Sequence, residues 1–379
     1  MNKFQCLYND HFQIKSFVIK EKHYGKPYIT PGIIRSIKHR NKLQKLYAKW
    51  PLTYETQFKK YRNMLTKIVR TAKEDYLKSK LKQESGNVKK TWNTVNNIIG
   101  KNRSNLPSSV NFHDKIISNN EGIAEEFNNY FTNTASILAT DIYPATVPFE
   151  SFLPDPVPYS FFLKPTSEQE ILEVIKNVKI TSGYDDIDIK VIKACSEVIS
   201  PFLEFIVNKC FREGHFPRKL KIAKIIPIYK KGDKLSHANY RPVSILPSLS
   251  KIIEKLFATR LTDYFTQSSL LSERQYGFRP KYSTELAIHQ LSQNIYDTLD
   301  NKQYQITVLC DLSKAFDTVS HNILLHKLYN YGIRGKANDF LRSYLSDRNQ
   351  YTVYKNASSS LKQVICGVPQ GSIWGHFYS

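Results

Sequence analysis

Six prolines fall between residues 144 and 165, at positions 144, 148, 154, 156, 158 and 165. Each lacks a backbone N–H and has its φ locked, so this density excludes a regular helix or a central strand. The stretch therefore marks the main boundary expected in the chain. A basic, mostly helical region (1–143) precedes a proline-rich linker (144–165), and a mixed region (166–379) follows. At 379 residues and 41% apolar, the chain is long enough for two or three domains with a real core.

The upstream region reads as helix from about residue 31 to 101, with apolar or aromatic side chains every three or four positions: Ile33, Ile37, Leu43, Leu46, Tyr47, Tyr61, Leu65 and Ile68. Residues 91–100 predict a short helix closed by Gly100, and an acidic helix is expected around 123–139 with Phe127, Tyr130 and Phe131 on its apolar side. Charge is unevenly placed within the net +22: residues 1–103 hold 24 Lys/Arg against 6 Asp/Glu, residues 104–206 hold 6 against 15, and residues 207–379 hold 25 against 12. A basic block of domain size suits a polyanion, and nucleic acid is the usual one; a merely soluble basic surface is the bland alternative.

The five cysteines (6, 195, 210, 310 and 366) are scattered, without a Cys-x-x-Cys pair or a nearby His at ligand spacing. That excludes a zinc site and a disulfide framework, and points to a reducing cytosolic or nuclear compartment. No apolar run approaches the roughly 18–20 residues that span a bilayer, and the N-terminus lacks the apolar core of a secretory signal. No membrane partner is expected.

Past the prolines, Ser167-Glu-Gln-Glu170 is a capping-box pattern opening a helix, and helical periodicity resumes through 191–211. Residues 222–229 and 239–246 predict two strands around the turn Lys230-Lys-Gly-Asp233. Helices are expected at about 250–265, 284–301, 322–331 and 336–345, and a hairpin from 350–354 with 361–366. Between them, the apolar run Ile306-Thr-Val-Leu-Cys310 ends on Asp311, with Phe316-Asp317 close behind. The run predicts a buried strand that delivers the Asp311 carboxylate to the floor of a cleft, where a divalent cation could sit. A helix N-cap is the alternative role for Asp311.

Four motifs occur in order: the basic pair of strands with Lys224, Lys230 and Arg241, including Asn239-Tyr-Arg-Pro-Val-Ser244; Gln275-Tyr-Gly-Phe-Arg-Pro280; Asp311-Leu-Ser-Lys-Ala-Phe-Asp-Thr-Val319; and Gly367-Val-Pro-Gln-Gly-Ser372. Together they resemble the reverse transcriptase domain of non-LTR (LINE) retrotransposons, most of all the jockey-like elements. The resemblance covers about 165–375; a weaker likeness to the basic linker upstream of such polymerases covers about 25–140. It implies an α+β fold, the fingers and partial palm of a right-hand polymerase behind a mostly α-helical basic extension.

The resemblance also implies an RNA-directed DNA polymerase that takes an RNA template, a DNA primer and deoxynucleoside triphosphates. Two Mg²⁺ ions, with Mn²⁺ as a substitute, would stabilise the attacking and leaving oxygens. Asp311 would bridge both ions, helped by the carbonyl of Leu312. Phe316 falls at the sugar gate against a ribose 2′-hydroxyl, or is a core aromatic. Lys224, Lys230 and Arg241 would neutralise the triphosphate, Gln370 and Gly371 would pack on the base pair at the primer end, and Arg279 would contact template phosphate. Asp317 is read as bracing its loop by a hydrogen bond, not as a metal ligand.

The family carries a third motif, an aromatic-x-Asp-Asp hairpin, beyond Gln-Gly-Ser. Residues 373–379 contain no acid, so the chain is expected to be cut off before that motif and to be inactive alone. Tyr184-Asp-Asp186 lies too early and in too polar a loop to replace it. Two rival expectations follow: a non-catalytic nucleic-acid-binding remnant of such an element, or a product that does not fold stably because a palm strand lacks its partner.

Overall fold

The computed structural model describes residues 26–99, 106–113, 115–140, 146–178, 184–185, 187–279, 281–312 and 314–373, together with residue 10. The chain forms two compact units that divide at 106/107. The smaller includes the helices α1 (Pro31–Lys49), α2 (Pro51–Glu84) and α3 (Val88–Ile99). The Thr30 hydroxyl caps α1 by accepting from Ile33 N at 3.3 Å. Trp50 breaks the helical run because it precedes a proline, which disfavours the α conformation; it sits at φ −136°, ψ 72°, and Pro51 opens α2. Ile33 and Leu43 of α1 are buried with Phe58 and Leu65 of α2, and Tyr47 stacks on Phe58 at 5.3 Å. Gly100, the expected helix stop, lies outside the described residues.

The larger unit is built on a mixed sheet. Strand β1 (Val110–Phe112) pairs with β2 (Lys115–Ile117) as a separate small hairpin. The main sheet runs in the order β4 (Tyr240–Ile245), β3 (Ile222–Tyr229), β5 (Arg348–Tyr354), with β7 (Lys362–Val364) beyond β5, and β6 (Ala357–Ser358) pairing the end of β5. β3 and β4 are antiparallel, whereas β3 and β5 are parallel, and a long helical crossover joins that pair. The expected acidic helix, α4 (Asn120–Thr140), packs on this sheet: Asn128 accepts from Gln350 Nε2 at 3.1 Å and donates to Ser360 O at 2.9 Å.

Helices α5 (Glu168–Asn177), α6 (Ile189–Ala194), α7 (Ser196–Glu213), α8 (Ser248–Gln267), α10 (His321–Asn330) and α11 (Gly335–Leu345) enclose one core. Phe216, Phe257, Phe340 and Tyr344 form its aromatic centre, with Phe257 and Phe340 stacked at 5.1 Å. The capping box is present: Ser167 Oγ accepts from Glu170 N at the start of α5. The same Glu170 forms a salt bridge to Arg260 of α8 at 2.7 Å, tying the two helices together.

The proline-rich stretch carries no α-helix or strand among its described residues, only a 3₁₀ turn at Phe149–Phe152, as proline chemistry dictates. It is packed rather than free. Val157 N donates to Asn330 O at 2.9 Å, Phe161 N to Gly332 O at 2.8 Å, and the Arg334 guanidinium to Val157 O at 2.6 Å. Prolines exclude ladders and helices but not an extended chain bonded to helix ends, so the division of the chain falls upstream of them.

One expected element is not formed. Residues 303–312 are neither strand nor buried: Ile306 is 90% and Leu309 88% exposed, and Asp311 is exposed with them. The preceding helix, α9 (Thr284–Asp300), buries none of its residues. A strand needs a ladder partner and a covered face; none of the strands in the described sheet pairs with this segment, so its alternating apolar residues remain in water. The buried strand predicted to end on Asp311 is corrected accordingly.

Candidate functional site

The loop after β7 is clamped between two distant parts of the chain. Gly367 N donates to Val319 O and Val368 N to Phe316 O, both at 2.8 Å, while His321 Nε2 donates to Gly367 O at 2.7 Å. On the other side Ser244 N, in β4, donates to Gln370 O at 2.8 Å. The Gln370 side chain closes the clamp, its Nε2 donating to Asp317 Oδ1 at 2.8 Å. Both glycines are demanded by this contact. A Cβ on Gly367 (φ 79°) would lie 2.7 Å from Asp317 O, and one on Gly371 (φ 123°) would lie 2.7 Å from Ser244 O. The close approach that the glycines permit is thus to the chain's own backbone.

These segments surround a cavity of about 40 Å³, lined among others by Ile225, Pro242, Ser244, Asp317, Arg348 and Gln370. Burial pushes the Asp317 carboxyl above its ordinary range, an effect the Gln370 hydrogen bond and the Lys314 charge oppose. Behind the loop lies a second polar group of residues, fully buried. Glu254 of α8 accepts from Ile373 N at 3.0 Å, from Ser250 Oγ at 2.9 Å and from Tyr344 OH at 3.2 Å. Burial raises the Glu254 carboxyl, and the Arg348 charge works against that rise. Arg348 is itself buried, lies over the Tyr344 ring at 4.5 Å and donates to Tyr344 O at 3.1 Å. Glu254 thereby anchors the far end of the Gln-Gly-Ser loop.

The residues singled out in the sequence do not gather in one place. Gln370 meets Asp317 at the clamp, and Gly371 lies against the Ser244 carbonyl. Phe316 is half-buried against the helical core, its ring edge-on to Phe278 at 6.3 Å. Lys224 and Arg241 sit elsewhere on the β3–β4 ladder. Register pairs Ile225 with Ser244, which face the cavity, whereas Lys224 pairs with Ile245 and Arg241 with Ile228, so both basic residues belong to the opposite face. Lys230 follows β3 as an exposed turn residue whose N–H donates to Asn239 O at 2.9 Å. Arg279 braces its own loop, donating to Ser272 O at 2.7 Å and lying over Tyr282 at 4.1 Å. Asp311 and Leu312 are exposed in the unpaired segment and are not among the cavity's lining residues.

Sequence reasoning missed Glu254, Arg348, Ser244 and His321. Glu254 had a signal: an acid at Ile252-Ile253-Glu254, four residues after Ser250, on the apolar side of a helix that also carries Leu256, Phe257 and Leu261. Ser244 and His321 act through contacts with a loop over a hundred and about fifty residues away, which no local pattern reveals.

The donor set was tested against the expected pair of divalent cations. Hard cations take six or more oxygen ligands, and two of them close together need several carboxylates. Among the described residues no three His, Cys, Asp or Glu side chains converge. Asp317 already accepts from Gln370, and Asp311 stands alone in exposed chain. These residues do not by themselves fit a two-cation site.

Residues 228–377 match the family profile described as "Reverse transcriptase (RNA-dependent DNA polymerase)". A probable RNA-directed DNA polymerase from transposon BS of Drosophila melanogaster is 36% identical over 232 residues, covering 59% of this chain and 25% of that protein. The RNA-directed DNA polymerase from mobile element jockey of the same species is 31% identical over 229 residues, covering 60% and 25%. A Pol polyprotein from the type-1 retrotransposable element R1 of Bradysia coprophila is 28% identical over 209 residues, covering 54% and 20%. The chain spans about a quarter of the length of the first two relatives. The order of motifs, the clamp and these matches converge: residues 228–377 match the reverse transcriptase family, and the chain is similar to the RNA-directed DNA polymerases of transposon BS and mobile element jockey.

Proposed function

We propose that this chain supplies the fingers and part of the palm of an RNA-directed DNA polymerase of a non-LTR retrotransposon. The observation that carries this reading is the clamp. Three segments far apart in sequence, β4, 314–319 and 366–373, each hold one of the motifs behind the resemblance, and they close around one cavity through Gln370, Asp317 and Ser244. In this reading RNA is the template, DNA the primer and deoxynucleoside triphosphates the substrate. Lys224, Lys230 and Arg241 attract the triphosphate by charge, Phe316 selects against a 2′-hydroxyl, Gln370 and Gly371 support the base pair at the primer end, and Arg279 contacts template phosphate.

Reverse transcriptases generally use divalent metal ions. Asp311, with the carbonyl of Leu312, is the oxygen pair we assign to Mg²⁺ or Mn²⁺. Because the donors in this segment do not suffice for two ions, the 379 residues alone are expected not to polymerise. A primer-extension assay on poly(rA)/oligo(dT), with Mg²⁺ or Mn²⁺, should give no product. Extension by this segment that disappears in Asp311→Asn would overturn the expected inactivity, and extension that survives Asp311→Asn would contradict the role of Asp311.

A second reading is favoured by the charge of residues 1–103, 24 Lys/Arg against 6 Asp/Glu: a region that binds nucleic acid without catalysis. Affinity that stays flat between low and moderate salt would count against it.

A further inference from the structure

We propose that one face of α1 is a binding track for a single-stranded nucleic acid, ending on a stacking platform at Trp50. The inference rests on the second reading above and gives it a site. Helix α1 carries six Lys/Arg and no Asp or Glu. Five of them, Arg35, Lys38, Lys42, Lys45 and Lys49, recur at alternating steps of three and four residues, so at about 100° per residue they share an arc of about 80°. All five are exposed, and none enters an ion pair among the described residues. The row is about 21 Å long, with neighbouring cations about 5–6 Å apart along the helix.

The row leads into the turn between α1 and α2. There Trp50 is 56% exposed, its ring 5.8 Å from Lys49 Nζ, and Leu52 beside it is fully exposed. An uninterrupted line of cations that closes on an open indole is the combination that binds unpaired strands: cations follow the phosphates and the ring stacks on a base. A duplex offers phosphates but no free base face. An anionic membrane suits the helix less well, because the apolar side of α1, with Ile33 and Leu43, is already buried against α2. On the longer helix α2, Lys59, Arg62, Arg70 and Lys73 share a similar arc, but Lys59 pairs with Glu55 and Arg70 with Glu74, so acids break up that row.

The test is fluorescence anisotropy of the full chain with labelled 20-nucleotide oligo(rU), oligo(dT) and a 20-base-pair RNA duplex, across a salt series. Lys38→Gln/Lys42→Gln/Lys45→Gln removes three contacts and keeps helix propensity. It should lower the slope of log K against log salt for oligo(rU) by about 2, since each single-strand phosphate contact contributes about 0.7. The equal-charge control Lys60→Gln/Lys67→Gln/Lys78→Gln should change it by less than about 1. Trp50→Ala should weaken single-strand binding about 5- to 100-fold and leave the duplex nearly unaffected. Equal losses from the two triple variants, no single-strand effect of Trp50→Ala, or tighter binding to phosphatidylserine vesicles than to either oligonucleotide would each overturn the track. Salt-sensitive wild-type binding with a slope the α1 variant leaves unchanged would sink the track and spare the second reading; no wild-type binding to either oligonucleotide would sink both. The rU and dT arms tell an RNA track from a DNA track.

Discussion

Gly371 turns at φ 123°, in backbone space that is essentially closed to side chains, with the Ser244 carbonyl 2.7 Å from where a Cβ would stand. Gly371→Ala should therefore cost about 1–3 kcal/mol in a urea titration, and unchanged stability would mean that the loop is not held against β4. Asp317 carries a pH signature. Burial raises its carboxyl above 3.8, so just above that pH the folded protein keeps a proton that the unfolded chain has released. Its contribution to stability is complete below 3.8 and lost as pH climbs through the raised value. Asp317→Asn has no such titration, so the stability of the wild type relative to the variant should fall as pH rises from about 4 through the raised value; a constant or rising difference in urea midpoints would refute the burial effect. Gln370, Gly371 and Asp317 could be picked out from their motifs. Their partners could not, because a hydrogen bond from Ser244 N or His321 Nε2 leaves no periodic trace.

Local chemistry made many elements readable in advance: the Ser167 cap opened α5, and the 222–229 and 239–246 runs became β3 and β4, whereas the break that Pro51 imposes at Trp50 divides what was expected as one helical stretch from 31 to 101. The failure at 303–312 has a physical cause at the same scale. Tyr304, Ile306, Val308, Cys310 and Leu312 alternate as a strand should, yet a strand exists only through its neighbours, and among the described residues no backbone hydrogen bond holds 304–312. The exposed segment follows a helix with no buried residue, so this part of the chain has little to resist opening. Chymotrypsin at low dose should cut first at Tyr304, Leu309 or Leu312 and leave the helical core around Phe257 and Phe340 intact. Early cleavage within α8 or α11, with 304–312 protected, would show that the segment is paired after all.

Across the whole molecule, two units have separate cores. Residues 10–106 contribute helices with a strongly basic surface, and the unit beginning at 107 contributes the sheet, the clamp and the family match at 228–377. Charge changes sign near residue 103, whereas the main boundary was expected at the prolines, which forbid ladders without forbidding contact. The electrostatics predict that binding of nucleic acid by the full chain weakens steeply as salt rises. The central claim, that the clamped motifs belong to a polymerase working through Asp311, is tested most directly by joining this chain in frame to the downstream segment of a related element polymerase and measuring RNA-templated primer extension with and without Asp311→Asn. The account predicts extension by the joined protein that falls at least about a hundredfold in the variant; extension that Asp311→Asn leaves undiminished would contradict it.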